Sequence, residues 1–158
     1  MKKNVILSGV MGAVLLFGTL VCHAEKWDKN KYVDKTVESA YYDADSIKVQ
    51  GKTVSWTEKS VLTSGGATFV TGDIKKYEAC KQNIEKKGNV TQYQVDYQIE
   101  KGKYRGVALR YYNKANEIVC TDKDMGNEFN TSWNKIVRGS PIQQSHYDLV
   151  TKYKVNLQ

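Results

Sequence analysis

Residues 92–112, QYQVDYQIEKGKYRGVALRYY, decide the fold. Tyr93, Val95, Tyr97 and Ile99 alternate with Gln92, Gln94, Asp96 and Gln98. A period of two with one apolar and one wet face is the pattern of an antiparallel strand that covers a core on one side. Glu100-Lys101-Gly102-Lys103 reads as a turn, its glycine placed for positive φ. The return strand, Tyr104–Tyr112, puts Val107, Leu109 and Tyr111 on one side. Asn113–Asn116 makes a second turn and Glu117–Thr121 a third strand, which completes a meander.

Working back toward the N-terminus, YYDADSIKVQGKTVSWTEKS (residues 41–60) carries the next strands. Tyr41–Asp43 is extended, Asp43 and Asp45-Ser46 have short polar side chains suited to a tight or helical turn, and Gly51 turns the chain. Thr53–Leu62 then alternates: Val54 and Trp56 share one face, and Thr53, Ser55 and Thr57 the other. Trp27–Asp34 is expected as a first edge strand with Trp27 and Val33 as core contacts. Thr63-Ser64-Gly65-Gly66 reads as a flexible turn. From Asp73 the period changes, and Ile74, Tyr77, Cys80 and Ile84 fall on one arc of a helical wheel. The spacing predicts an amphipathic helix over Asp73–Lys87, stopped by Gly88-Asn89.

Downstream, residues 121–131 are polar and loop-like, and Trp133 and Ile136 bring the chain back to the core. Ser140 can cap a helix, Pro141 fits its first position, and Gln143 completes a capping box. Ile142, His146, Leu149, Val150 and Tyr153 then form one helical stripe against polar Gln144, Ser145, Asp148, Thr151 and Lys152. The expected fold class is α+β: a single curved antiparallel β-sheet of five to six strands, a meander, with a C-terminal helix and one further helix packed against it.

The first residues read as a targeting signal. Lys2 and Lys3 precede the apolar run Val5–Val21, and Cys22-His23-Ala24 supplies small residues for cleavage after Ala24. The run falls short of the roughly 20 residues a spanning helix needs, so no transmembrane anchor is expected after cleavage. Lipid anchoring at Cys22 is the weaker alternative. Residues 1–24 are thus assigned as signal peptide and 25–158 as one domain, exported to the periplasm, the cell surface or the medium. Among 158 residues, 24 Lys+Arg face 17 Asp+Glu; cleavage removes two of these cations and none of the acids, so the remainder stays basic. A basic balance favours polyanions or acidic protein surfaces without conferring specificity. Cys80 and Cys120 are the cysteines left beyond the signal, and in an exported chain such a pair suggests a disulfide, with two free thiols as the alternative. Closing that loop would contribute about 4 kcal/mol in the chain-entropy account.

Little in the sequence points to a reaction centre. His146 is the single histidine beyond the signal and lies in the expected buried stripe, which leaves a nitrogen/sulfur metal site without its ligands. No Ser/His/Asp order stands out, and Gly65-Gly66 lacks the lysine of a phosphate cradle. Asp43, Asp45 and Asp73 would make a glycosidase-like pair only if the fold brought them together. No catalytic residue, cofactor or metal site is expected. The 11 tyrosines and 3 tryptophans fall mostly on apolar faces, so core filling outweighs stacking on sugars or bases. Tyr112 is the best candidate for exposure, and nucleic acid is not expected as a partner. Lys101, Lys103, Arg105 and Arg110 give the second hairpin a basic tip and flank, a candidate surface for an acidic protein segment or a sulfated glycan.

Taken as a set, Trp27, Tyr42-Asp43 with Asp45-Ser46-Ile47, Gly51, Val54 with Trp56, Tyr93, Tyr97, Tyr104-Arg105, the turn Tyr112-Asn113-Lys114-Ala115-Asn116, and Trp133, Ile136 and Gly139-Ser140 resemble the surface-adhesin protein E-like domain of exported bacterial proteins. Arg138 stands where that pattern usually has proline, and Asn116 where it has the turn glycine, which asparagine can replace at positive φ. Members commonly place cysteines near Gln98 and the C-terminus, so a Cys80–Cys120 bond would be a different staple. The resemblance implies an antiparallel sheet with packed helices and, in the type member, adhesion to host matrix and plasma proteins, with homodimers among its forms. The expected function is a non-catalytic exported binding module of the bacterial envelope, an adhesin for protein or polyanion. The alternative is a periplasmic structural or accessory protein with no host partner.

Overall fold

The structure, a computed structural model, describes residues 27–30, 33–126 and 128–157. The expected signal peptide over 1–24, with Cys22, lies outside the described residues. The elements in chain order are β1 (Trp27–Asn30), β2 (Val37–Gln50), β3 (Thr53–Leu62), α1 (Ser64–Ile74), α2 (Glu78–Lys87), β4 (Gln92–Glu100), β5 (Lys103–Tyr112), β6 (Ile118–Thr121), β7 (Asn134–Lys135) and α3 (Pro141–Thr151). The strands form one open antiparallel sheet in the order β1-β2-β3-β4-β5-β6, and the short β7 pairs with the start of β5. The fold is α+β, as the meander implies.

Side chains directly opposite each other in an antiparallel ladder share a face, so the register sorts the sheet. One face carries Tyr42, Val54, Trp56, Val95, Ile99 and Leu109, all buried. Two hydrophobic clusters cover it side by side. The first gathers Ile74, Cys80 and Ile84 from the α1–α2 segment onto Leu62, Val95, Leu109 and Val119. The second sets Ile142 and Leu149 of α3, with Val155, on Tyr42, Val54, Trp56 and Ile99. Tyr97 packs against both clusters. The Cys80–Cys120 disulfide joins α2 to β6 inside the first. Among the described residues, no helix packs on the opposite face of the sheet.

Several expected details are corrected. The segment after β3 holds two helices where one was expected. Thr63 caps α1, its Oγ1 accepting from the Gly66 N–H at 3.1 Å, so Thr63–Gly66 is a helix start and no flexible turn. A Cβ on Gly66 would fall inside contact distance of the Thr36 carbonyl, whereas one on Gly65 would meet nothing within 4 Å; Gly66 alone serves the close approach of two backbones. The expected Asp73–Lys87 helix begins only at Glu78, although Gly88 does stop it, with φ 99°. Asp45-Ser46 does not end a strand. It forms a bulge inside β2, where Ser46 Oγ donates to the Asp43 carbonyl at 2.7 Å and accepts from the Thr57 N–H at 2.8 Å.

A second bulge, between Asp96 and Tyr97 in the β4–β5 ladder, pairs Asp96 with Ala108 and Tyr97 with Gly106. Val107 is the extra residue and is 40% exposed. It therefore leaves the face assigned to it, and Tyr104 and Gly106 join Leu109 on the covered side. Trp27 pairs with Asp43 on the uncovered face, while Asp28 and Asn30 point inward; Val33 is 45% exposed. Neither Trp27 nor Val33 is a core contact. In α3 Ser140 Oγ accepts from Gln143 N, as the expected capping box requires. Gln143 Oε1, however, reaches back to Gly139 N, one residue before the cap, while Ser140 N donates to the Val137 carbonyl. The inner face of α3 is also rotated: Val150 is exposed, His146 half-buried, and Ser145, expected outside, is fully buried. Asn116 takes φ 61° in its turn, the conformation expected of a glycine substitute.

Candidate functional site

The uncovered face is built from the residues out of phase with the core. Successive rows across the ladders read Lys29, Tyr41, Lys59, Gln94, Arg110; then Trp27, Asp43, Thr57, Asp96; then Lys48, Ser55, Gln98, Arg105. Lys103 and Lys135 face each other at the end of the sheet. Cations outnumber carboxylates in these rows, and the carboxylates are engaged. Asp96 takes a two-armed contact from Arg110, at 2.7 and 2.6 Å, and accepts from Thr57 at 2.8 Å. Burial alone would raise the Asp96 pKa, but the Arg110 and Thr57 bonds outweigh it and hold it below the ordinary value. Glu100 is bonded to Lys103 at 2.9 Å and Thr53 at 3.0 Å.

Aromatic rings sit beside several of these cations. Lys59 Nζ lies 4.0 Å from the centre of the Trp27 ring and 5.4 Å from that of Tyr41. At the hairpin end, Lys103 and Arg105 each stand 4.8 Å from the ring centre of Trp133. Such pairs contribute about 0.5–1 kcal/mol at exposed sites, and they hold long side chains in place above a flat surface. The two bulges frame a concavity of about 370 Å³ on this face, lined by Asp43, Asp45, Lys48, Asp96, Gln98 and Val107 among others.

Of the sequence-derived candidates, Lys101, Lys103 and Arg105 share the hairpin end of the sheet. Arg110 lies farther along β5, its charge locked to Asp96. Arg105 Nε donates to Gln98 Oε1 at 2.8 Å. Trp133, expected to return to the core, instead stacks on this basic cluster, whereas Ile136 does pack against the second cluster. Tyr112 is half-buried on the uncovered face, its hydroxyl donating to Gln94. Asp43 and Asp45 line the same concavity, but Asp73 sits at the end of α1 beside Lys76 and joins no pair with them.

A site the sequence reading did not single out lies under α3. Glu58 is in the core-facing phase of β3, between Trp56 and Ser60. Its Oε1 accepts from the Ser145 hydroxyl at 2.5 Å and from the Trp56 indole N–H at 2.8 Å. The Tyr42 hydroxyl stands 3.5 Å from Ser145 Oγ. Burial pushes the Glu58 carboxyl up to about 7; the Ser145 and Trp56 bonds pull it partly back, and Asp148 pushes it further up. Two cavities of about 120 and 130 Å³ meet at this carboxyl, and both are also lined by Tyr97 and Pro141. The signal was present in the sequence: a glutamate occupies the phase otherwise held by Val54, Trp56, Ser60 and Leu62.

Among the described residues, no helix is long and apolar enough to cross a membrane. Comparisons with protein-family models, with curated proteins and with solved structures found no match to this chain.

Proposed function

We propose that this chain is a non-catalytic binding module, exported to the envelope, that engages an anionic partner through the uncovered face and hairpin end of its sheet. The partner is an acidic protein surface or a sulfated polysaccharide outside the cell. The observation that carries the reading is the basic cluster of Lys103, Arg105 and Lys135 at the end of the sheet, with the Trp133 ring against two of these cations. A flat cationic surface with ordered aromatic bodies suits repeating sulfates or carboxylates, which need charge at intervals and no enclosing pocket. The resemblance to surface-adhesin protein E-like domains agrees with an extracellular partner, and the role is argued from the surface because a fold alone does not fix function.

Binding of heparin to the purified chain, followed by calorimetry across a salt series, tests this. Affinity is expected to weaken steeply with salt as the charges are screened, and K103E/R105E to weaken it by about tenfold or more at low salt. Undetectable binding at low salt, or an unchanged affinity in K103E/R105E, overturns the reading. Protease shaving of intact cells separates a surface adhesin, which is released, from a periplasmic accessory protein, which is not.

A further inference from the structure

We propose that the cleft under α3 is a second, separate site, which binds a small organic ammonium ion with its charge on Glu58 and its alkyl part against Tyr97 and Val95. The two cavities that meet at Glu58 give it room. Their lining is the reverse of the molecule's exterior. In a chain with 24 Lys+Arg and a formal charge of +7, the charged residues lining them, among the described residues, are Glu58 and Asp34, and no lysine or arginine. Around that carboxyl stand the aromatic bodies of Tyr93, Tyr97 and Tyr104 and the apolar Val37 and Val95. Carboxylate, ring faces and aliphatic walls are the parts that recognise an alkylammonium. An inorganic anion would meet the carboxyls of Glu58 and Asp34, and a purely apolar ligand would bring no counter-charge to Glu58, whose Oε1 keeps its bonds from Ser145 and Trp56.

The groups facing Glu58 are Tyr42 from β2, Trp56 and Ser60 from β3, Tyr93 and Tyr97 from β4, Tyr104 from β5, Ser145 and Asp148 from α3, and Asp34 before β2. None is cationic. An arriving ammonium therefore supplies a positive charge that none of these groups carries, and burial favours the protonated carboxyl until it arrives. Binding is then coupled to loss of one proton from Glu58 near neutral pH.

The test is a titration of the purified chain with n-butylammonium, read on the indole N–H resonance of Trp56, which is bonded to Glu58. A saturable shift is expected, with affinity at least about tenfold tighter at pH 8 than at pH 5.5, because the carboxylate must be free of its proton. The neutral isostere n-butanol should bind at least about tenfold more weakly at pH 8, and E58Q, which keeps an acceptor for Ser145 and Trp56, should lose the ammonium response. Equal binding of butanol by the wild-type chain, an affinity independent of pH, saturation by potassium at the same concentration, or no saturable shift overturns the proposal. The butanol and potassium arms use the wild-type chain, so they decide even if E58Q fails to fold.

Discussion

At the scale of single residues, Glu58 and Asp96 show how the same side-chain chemistry has opposite consequences on the two faces of one sheet. Asp96 is ionised and held by Arg110, so R110A leaves a half-buried carboxylate without its main partner. An expected loss of about 1–2 kcal/mol, measured by urea unfolding, checks this. Glu58 runs the other way. Its carboxyl in the folded chain titrates at about 7, against an ordinary value of 4.5. Between these values the folded state keeps a proton that the unfolded state has released, so the unfolded state gains as pH rises. The contribution is fully present below about pH 4.5 and lost by about pH 7, amounting to about 3 kcal/mol at most. Wild-type stability is therefore expected to fall between pH 5 and pH 8 by more than that of E58Q, and urea midpoints for both proteins across that range decide the matter. If the two pH profiles are parallel, Glu58 is not the titrating group.

At the scale of the element, local chemistry and parity explain which features were legible in the sequence. The alternation of residues 92–99, the turn at Gly102, the cap–proline–glutamine start of α3 and the stop at Gly88 are all written in adjacent residues, and each forms. The misread features depend on the partner strand or on a distant backbone. A bulge is a mismatch between two strands, so nothing in Gly106-Val107-Ala108 alone shows that Val107 will be the unpaired residue. The same holds for Gly66, whose purpose is the carbonyl of Thr36 across the fold. Helix α1 offers a direct check, since it carries both kinds of glycine. G66A should cost about 1–3 kcal/mol through the clash with that carbonyl. G72A, where a Cβ meets nothing within 4 Å, should stabilise by about 0.5–1 kcal/mol by removing glycine's unfolded-state freedom. Thermal unfolding of the pair checks the opposite signs. Glu58 was legible by parity and overlooked by chemistry: a carboxylate in the apolar phase of β3 is the discord that marks a site.

At the scale of the whole molecule, the two clusters on the covered face are fastened by different means. The first holds the Cys80–Cys120 bond, which spans a sequence separation of 40. The second holds α3 by packing and by polar ties: Tyr153 donates to Asp28 at 2.6 Å, Lys152 pairs with Asp28 at 3.0 Å, and Ser145 reaches Glu58. Strands β3 and β4 run beneath both clusters, and Tyr97 belongs to both, stacked on Trp56 at 5.4 Å. A sheet shared in this way gives neither half a route to unfold while the other stays intact. Replacing both cysteines by serine should then lower stability by up to about 4 kcal/mol, the loop-closure term for such a span. The loss should be felt equally in the second cluster, which the disulfide does not touch. Urea unfolding of the C80S/C120S chain, followed by far-ultraviolet circular dichroism and by the Trp56 indole resonance, is expected to give one coincident midpoint below that of the oxidised chain. Two separated midpoints, with Trp56 keeping its native shift after helix signal is lost, would mean that the clusters fold independently and that the shared strands do not couple them.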